Sequence, residues 1–189
     1  MENTGNLPRI IRRKAESQWF VMRDLKRANA KCPAYQILSD MGMDVFTPMV
    51  WKLFVRQGKR IRKQVPFMQD MLFVHERLDV LEAVVKDTCT LQFRFLRDGK
   101  RTPMTVREAD MDRFKKAVQM SDKPCFYTPS ELTPDMVGKR IRIVGGPLNG
   151  YEGYLQKMQG SKVKRLFVEL PNLLTAAVEV QPEYIQIVK

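Results

Sequence analysis

One histidine and three cysteines are all that this 189-residue chain carries of the side chains that most often bind metals or act as nucleophiles. The shortage excludes several kinds of chemistry. With His75 alone, a site with two histidine ligands is impossible, and a nucleophilic site has one base to use. His75 closes the apolar run Met71–Val74 and reads as a surface strand residue. Cys32, Cys89 and Cys125 are odd in number and far apart, so neither a disulfide framework nor a zinc site is expected, and the reading is of a reducing, cytoplasmic compartment. Long apolar runs are missing too. The longest stretch without a charge is nine residues, against about 20 for a spanning helix. The charges at Arg9, Arg12, Arg13 and Lys14 are followed by no apolar segment of the secretory kind. No glycine-rich phosphate loop precedes a helix, and Glu108 and Asp112, four apart, read as a solvated helix face. The expectation is a protein without catalytic residues, metal, cofactor or membrane association.

What is present is positive charge. Lys and Arg number 33 against 21 acids, a formal net charge of +12. A surface with this excess attracts polyanions, nucleic acid first among them. Hydrophobic residues make up 44% of the chain and charged ones 29%, the composition of a folded protein with a real core.

Periodicity divides the chain into four parts. Residues 1–16 are polar and basic and read as a flexible tail. Residues 17–121 alternate strands and helices: a strand over Gln18–Leu25, a helix over Ala30–Met41 stopped by Gly42, a strand over Asp44–Pro48, a hairpin turning at Gln57-Gly58, and a strand at Met71–His75. A short helix through Leu78, Leu81 and Val85 follows, then a half-buried strand at Leu91–Leu96 and a turn at Arg97–Lys100. Thr105–Glu108 reads as a capping box for a helix with Met111, Phe114 and Val118 on one face. Residues 122–134, with Pro124, Pro129 and Pro134, read as a linker between two independently folding units. Residues 135–189 hold five short strands separated by Gly, Pro and Asn, the pattern of a small barrel.

Two features carry functional information. Between Lys52 and Lys63 stand six cations (Lys52, Arg56, Lys59, Arg60, Arg62, Lys63) and no acid, with Trp51 and Phe54 beside them. A projecting basic arm with aromatics suits phosphate contact and base stacking. The second feature is Ile141-x-Ile143-x-x-Gly146-Pro147-Leu148-x-Gly150-x-x-Gly153, whose glycines imply a tight loop between two strands. This spacing resembles a KOW motif.

The order of elements before it, with Trp19-Phe20-Val21, Val45-Phe46-x-Pro48, the basic hairpin and Met71-Leu72-Phe73-Val74, resembles the N-terminal domain of NusG-like transcription factors. The resemblance covers roughly residues 17–189. The Pro-Gly-Tyr usual before the last of these strands is here Gln69-Asp70-Met71, a departure that resembles the specialised UpxY and RfaH branches. The resemblance implies an α+β fold: an N-terminal α/β sandwich, with a four-stranded sheet, helices and a basic hairpin, joined to a C-terminal five-stranded β-barrel. It implies a transcription elongation or antitermination factor that suppresses pausing or termination. An apolar patch would grip the clamp helices of the largest RNA polymerase subunit, and the matching positions are Phe67, Met68 and Met71, with Phe46 and Phe93 on neighbouring strands. The hairpin would face upstream or non-template DNA. The KOW loop, through Gly146, Pro147, Leu148 and Gly150, would recruit a small ribosomal subunit protein or the termination factor Rho.

The competing reading is a ribosome-associated RNA-binding protein that uses its KOW barrel. Charge argues against it: residues 133–189 carry +3 (eight cations, five acids), whereas residues 1–132 carry +9 (25 cations, 16 acids).

Overall fold

In a computed structural model, the chain is described over residues 16–26, 31–157 and 163–188. The basic tail and the turn at Gly160-Ser161 expected from the sequence lie outside these residues.

The N-terminal lobe is built on β1 (Gln18–Asp24), a strand buried on both faces. Phe20, Met22, Leu72 and Val74 point to one side, and Trp19, Val21, Met71 and Phe73 to the other. Period-two alternation of this kind calls for cover on both faces. β5 (Leu72–Glu76) pairs antiparallel with one edge of β1, and β2 (Asp44–Phe46) pairs with β5. The other edge of β1 carries β6 (Leu91–Phe93) and, further along, β7 (Thr105–Val106). The sheet therefore has five strands rather than the expected four, because Thr105-Val106 pairs with Phe20 and Trp19 instead of capping a helix.

Helices α1 (Ala34–Asp40) and α2 (Leu78–Asp87) cover the Phe20 side through Ala34, Leu38 and Leu81. α1 starts at Ala34, directly after Pro33, whose backbone is extended, and the expected start at Ala30 lies outside the described residues. The buried Asp24 replaces a cap: its carboxylate accepts from the Ala34 N–H at 2.6 Å and the Lys26 N–H at 2.9 Å. Gly42 ends the helix in a left-handed conformation (φ +83°), as its position in the sequence suggests.

Helix α3 (Glu108–Gln119) covers the Trp19 side. Its N-cap is Arg107, with no side-chain capping bond. Glu108 instead accepts from Trp19 Nε1 at 3.2 Å and lies 3.2 Å from His75 Nε2, which ties the helix start to the sheet. Lys115 sits over the Trp19 ring and reaches Asp44 at 3.4 Å.

The C-terminal lobe is a six-stranded antiparallel sheet in the order β13-β9-β10-β11-β12-β8. Its strands are β8 (Cys125–Tyr127), β9 (Val137–Ile143), β10 (Glu152–Gln156), β11 (Lys164–Leu170), β12 (Leu174–Val180) and β13 (Ile185–Ile187). All five strands expected after residue 135 are present. The sixth, β8, comes from the segment that reads as a linker and pairs with β12 through Thr175↔Tyr127, Ala176↔Phe126 and Ala177↔Cys125. Among the described residues β13 and β8 do not pair, so the sheet is open rather than a closed five-stranded barrel. The strand forms there because Phe126, flanked by Cys125 and Tyr127, is apolar enough to be buried despite the surrounding prolines.

The two lobes share one core. Met111, Phe114 and Ala117 on α3 lie in the same buried cluster as Phe126, Leu166, Val168, Ala176 and Val178 of the second sheet. Each large apolar side chain buried here contributes about 1.5–3 kcal/mol. α3 is thus a shared layer between two sheets.

Candidate functional site

β3 (Met49–Arg56) and β4 (Lys59–Pro66) form a two-stranded ribbon that pairs with no other strand among the described residues. Gln57 and Gly58 both have positive φ (+51° and +75°), the two-residue turn that fits the twist of a hairpin. The residues beyond the ribbon's root are exposed on both strands.

Register decides what each face presents, because partners across an antiparallel pair share a face. One face carries Lys52↔Lys63, Phe54↔Ile61 and Arg56↔Lys59. Two pairs of like charges thus stand directly opposite each other, an arrangement that is destabilising until a counter-anion lies between them. The other face carries Trp51↔Gln64, Leu53↔Arg62 and Val55↔Arg60, with the Arg62 guanidinium 4.6 Å from the Trp51 ring centre. Trp51, Leu53, Phe54, Val55 and Ile61 are all exposed, Val55 by 70%. None of the six cations pairs with a carboxylate among the described residues. At the root, Trp51, Arg62 and Gln64 wall one side of a cleft of about 430 Å³, with Phe46, Val118 and Lys123 among its other walls.

The five apolar residues that read as a polymerase grip are not all together. Phe46, Phe67, Met68 and Met71 belong to the α3 side of the first sheet. Phe93 belongs to the opposite side, against Phe20 at 5.8 Å, so it cannot join them in one patch. Met71 is buried rather than exposed: alternation puts it on the same face as Phe73, in the cluster shared with α3, and Arg94 donates to its Sδ at 3.6 Å. Phe67 and Met68 are half-buried, and Phe67 is covered by Phe126 of β8.

In the glycine loop after β9, Gly145, Gly146 and Gly150 have positive φ, as the motif requires. Gly146, Pro147 and Gly150 are exposed. Leu148 is buried and joins Ile143 and Tyr151 in the core, so its side chain presents nothing to a partner. Gly153 is needed for a different reason: a Cβ there would lie 2.4 Å from the Phe167 carbonyl oxygen on β11.

The packing of α3 on the second sheet has no counterpart in the sequence reading. Tyr151 donates its hydroxyl to the Arg113 carbonyl at 3.1 Å, and the Arg113 guanidinium lies over the Tyr151 ring and donates to the Glu152 carbonyl. Burial raises the Tyr151 pKa, with Asp112 adding to the rise and Arg113 opposing it. Glu152 also bridges Arg140 and Arg142, and the Arg142 hydrogen bond and charge hold its carboxyl below the usual value, with Arg140 adding to the effect. Sequence spacing gives no sign of Tyr151 meeting Arg113, because the partners come from different lobes.

Residues 17–115, just over half of the chain, match the family model described as transcription termination factor NusG. A solved structure, described as "Domain interaction in Thermotoga maritima NusG", is 12% identical, with 92% of this chain and 98% of that chain covered and a TM-score of 0.48. No curated protein matches.

Proposed function

The chain belongs to the NusG family, and on that premise we propose that it is an antitermination factor of the specialised UpxY or RfaH type, one that rides on RNA polymerase and suppresses pausing or termination. The observation that supports this reading best is the hairpin: six cations that meet no carboxylate among the described residues, and an exposed tryptophan, on a ribbon that pairs with no other strand there. Such an arm suits upstream or non-template DNA, with phosphates at the paired cations and unpaired bases against Trp51. The polymerase clamp helices would take the apolar ground around Phe46, Phe67 and Met68. Polymerase contact through Phe67 then requires β8 to leave it. The exposed Gly146-Pro147 corner of the second lobe is the place for a ribosomal protein or Rho.

The test is neutralisation of Lys59, Arg60, Arg62 and Lys63 to Ala. DNA association within the elongation complex should weaken, and the log-affinity against log-salt slope should flatten by roughly 0.7–0.9 for each phosphate that is no longer neutralised. Docking on free core polymerase should persist. An unchanged slope with activity intact would reduce the hairpin to a solvated surface.

A further inference from the structure

A second basic arm lies at the other edge of the first sheet. Between β6 and β7 the chain runs Arg94-Phe95-Leu96-Arg97-Asp98-Gly99-Lys100-Arg101-Thr102-Pro103-Met104, four cations to one acid. The segment is pinned like a short hairpin. Leu96 N–H donates to the Thr102 carbonyl at 2.9 Å, Met104 N–H to the Arg94 carbonyl at 2.7 Å, and Phe95 bridges to Pro103. Arg94 is half-buried at the base and donates to Met71 Sδ. Arg97, Lys100 and Arg101 are exposed at the tip, and none forms an ion pair among the described residues.

The one acid forms no ion pair with them among the described residues, and three cations against it leave the tip at +2. Asp98 accepts from the Lys100 N–H at 2.9 Å, and hydrogen bonds from the Thr102 side chain and the Lys100 backbone hold its carboxyl below the ordinary value. Its charge serves the turn. Arg101 has φ +53°, a conformation that is uncommon outside glycine, and its guanidinium sits 5.4 Å from the Phe95 ring centre.

We propose that this loop is a second nucleic-acid contact and that its ligand is the phosphate backbone of duplex DNA. The choice of DNA rests on the reading of the hairpin given above; the choice of duplex rests on the loop itself. Its one aromatic ring, Phe95, is half-buried, with the Phe93 ring 6.3 Å away and the Arg101 guanidinium over it, so little ring surface is left for an unpaired base. Single-strand binding depends on such faces, and duplex binding depends on cations against phosphates. The hairpin has what the loop lacks: Arg62 lies over the Trp51 ring too, but Trp51 and Phe54 are exposed and meet no other ring among the described residues. The hairpin follows β2 and the loop follows β6, the two ends of the strand order β2-β5-β1-β6.

The test uses the full chain and fluorescence anisotropy with a labelled 20-base-pair DNA duplex, a single strand of the same sequence and an RNA duplex, each over a salt series. The variant is Arg97→Ala/Lys100→Ala/Arg101→Gly, glycine being the residue that accepts the backbone at 101 without strain. A second variant, Arg97→Lys/Arg101→Lys, keeps the charge. On the DNA duplex the first should flatten the log–log salt slope by about 2–3, and the second should leave it near wild type. Single-strand binding should change little. An unchanged duplex slope in the first variant, with wild-type unfolding temperature, overturns the proposal. So does an equal loss on the single strand, or tighter binding of the RNA duplex than of the DNA duplex. The hairpin variant with Lys59, Arg60, Arg62 and Lys63 neutralised, run in parallel, separates the two ideas: if it alone is inert, the hairpin reading fails while the loop stands.

Discussion

Phe126 lies against Phe67 with ring centres 5.5 Å apart, and it also reaches Phe114 at 6.4 Å. One residue of a proline-rich connector therefore covers a residue of the first lobe and touches the helix that both lobes share. Replacing Phe126 by Ala removes a buried ring and should destabilise the chain by about 3 kcal/mol. It should also free Phe67, so binding to core polymerase should strengthen, and Phe67→Ala in the same background should abolish the gain. Equal or weaker polymerase binding by a folded Phe126→Ala variant contradicts the covered-site account.

The glycine loop separates two reasons for having glycine. At Gly150 the backbone is left-handed (φ +82°) and the space around a Cβ is open. At Gly153 a Cβ meets the Phe167 carbonyl. Gly150→Ala should cost about 1 kcal/mol of backbone strain. Gly153→Ala has to push β10 from β11 and should cost more, about 1–3 kcal/mol. Denaturant unfolding of the two variants measures both, and equal losses would mean that the close approach is not maintained in solution.

Tyr151 gives a pH test of the contact between lobes. Its folded pKa is raised above the ordinary value of 10.0, chiefly by burial. The unfolded chain therefore releases this proton first, and stability should fall as pH rises through and above about 10. Ultraviolet titration should place one of the tyrosines above the rest. Tyr151→Phe should remove that phenol and flatten the alkaline loss of stability. An identical alkaline profile in the Phe variant would show that the Tyr151–Arg113 contact is open in solution.

How much of this is legible in the sequence follows from the range of the forces involved. The hairpin is readable in full, because Gln57-Gly58 fixes the turn and the turn fixes the register that places Arg60 and Arg62 on one face. The glycine loop is readable because Gly146 and Gly150 answer a local backbone requirement. The helix stripe of Met111 and Phe114 shows that α3 buries a face, but Ala117 widens that face until two sheets fit on it, and nothing in the spacing reveals the second. β8 is hidden for the same reason. Cys125–Tyr127 is three residues long between prolines, and only β12 makes it a strand. Met71 is expected in the exposed patch by its match to the family position and Phe93 by strand alternation, and neither signal tells what covers a side chain in the folded chain.

The most direct test of the central claim is single-round transcription by the host's core RNA polymerase across a pause and a terminator, with wild-type protein, the Phe67→Ala variant and the variant with Lys59, Arg60, Arg62 and Lys63 neutralised. The wild type should lengthen the transcripts and increase read-through. Phe67→Ala should lose the effect by failing to join polymerase, and the hairpin variant should join polymerase but lose most of the effect. Wild-type protein that leaves pausing and read-through unchanged, and that sediments with ribosomal subunits instead of polymerase, would contradict the account.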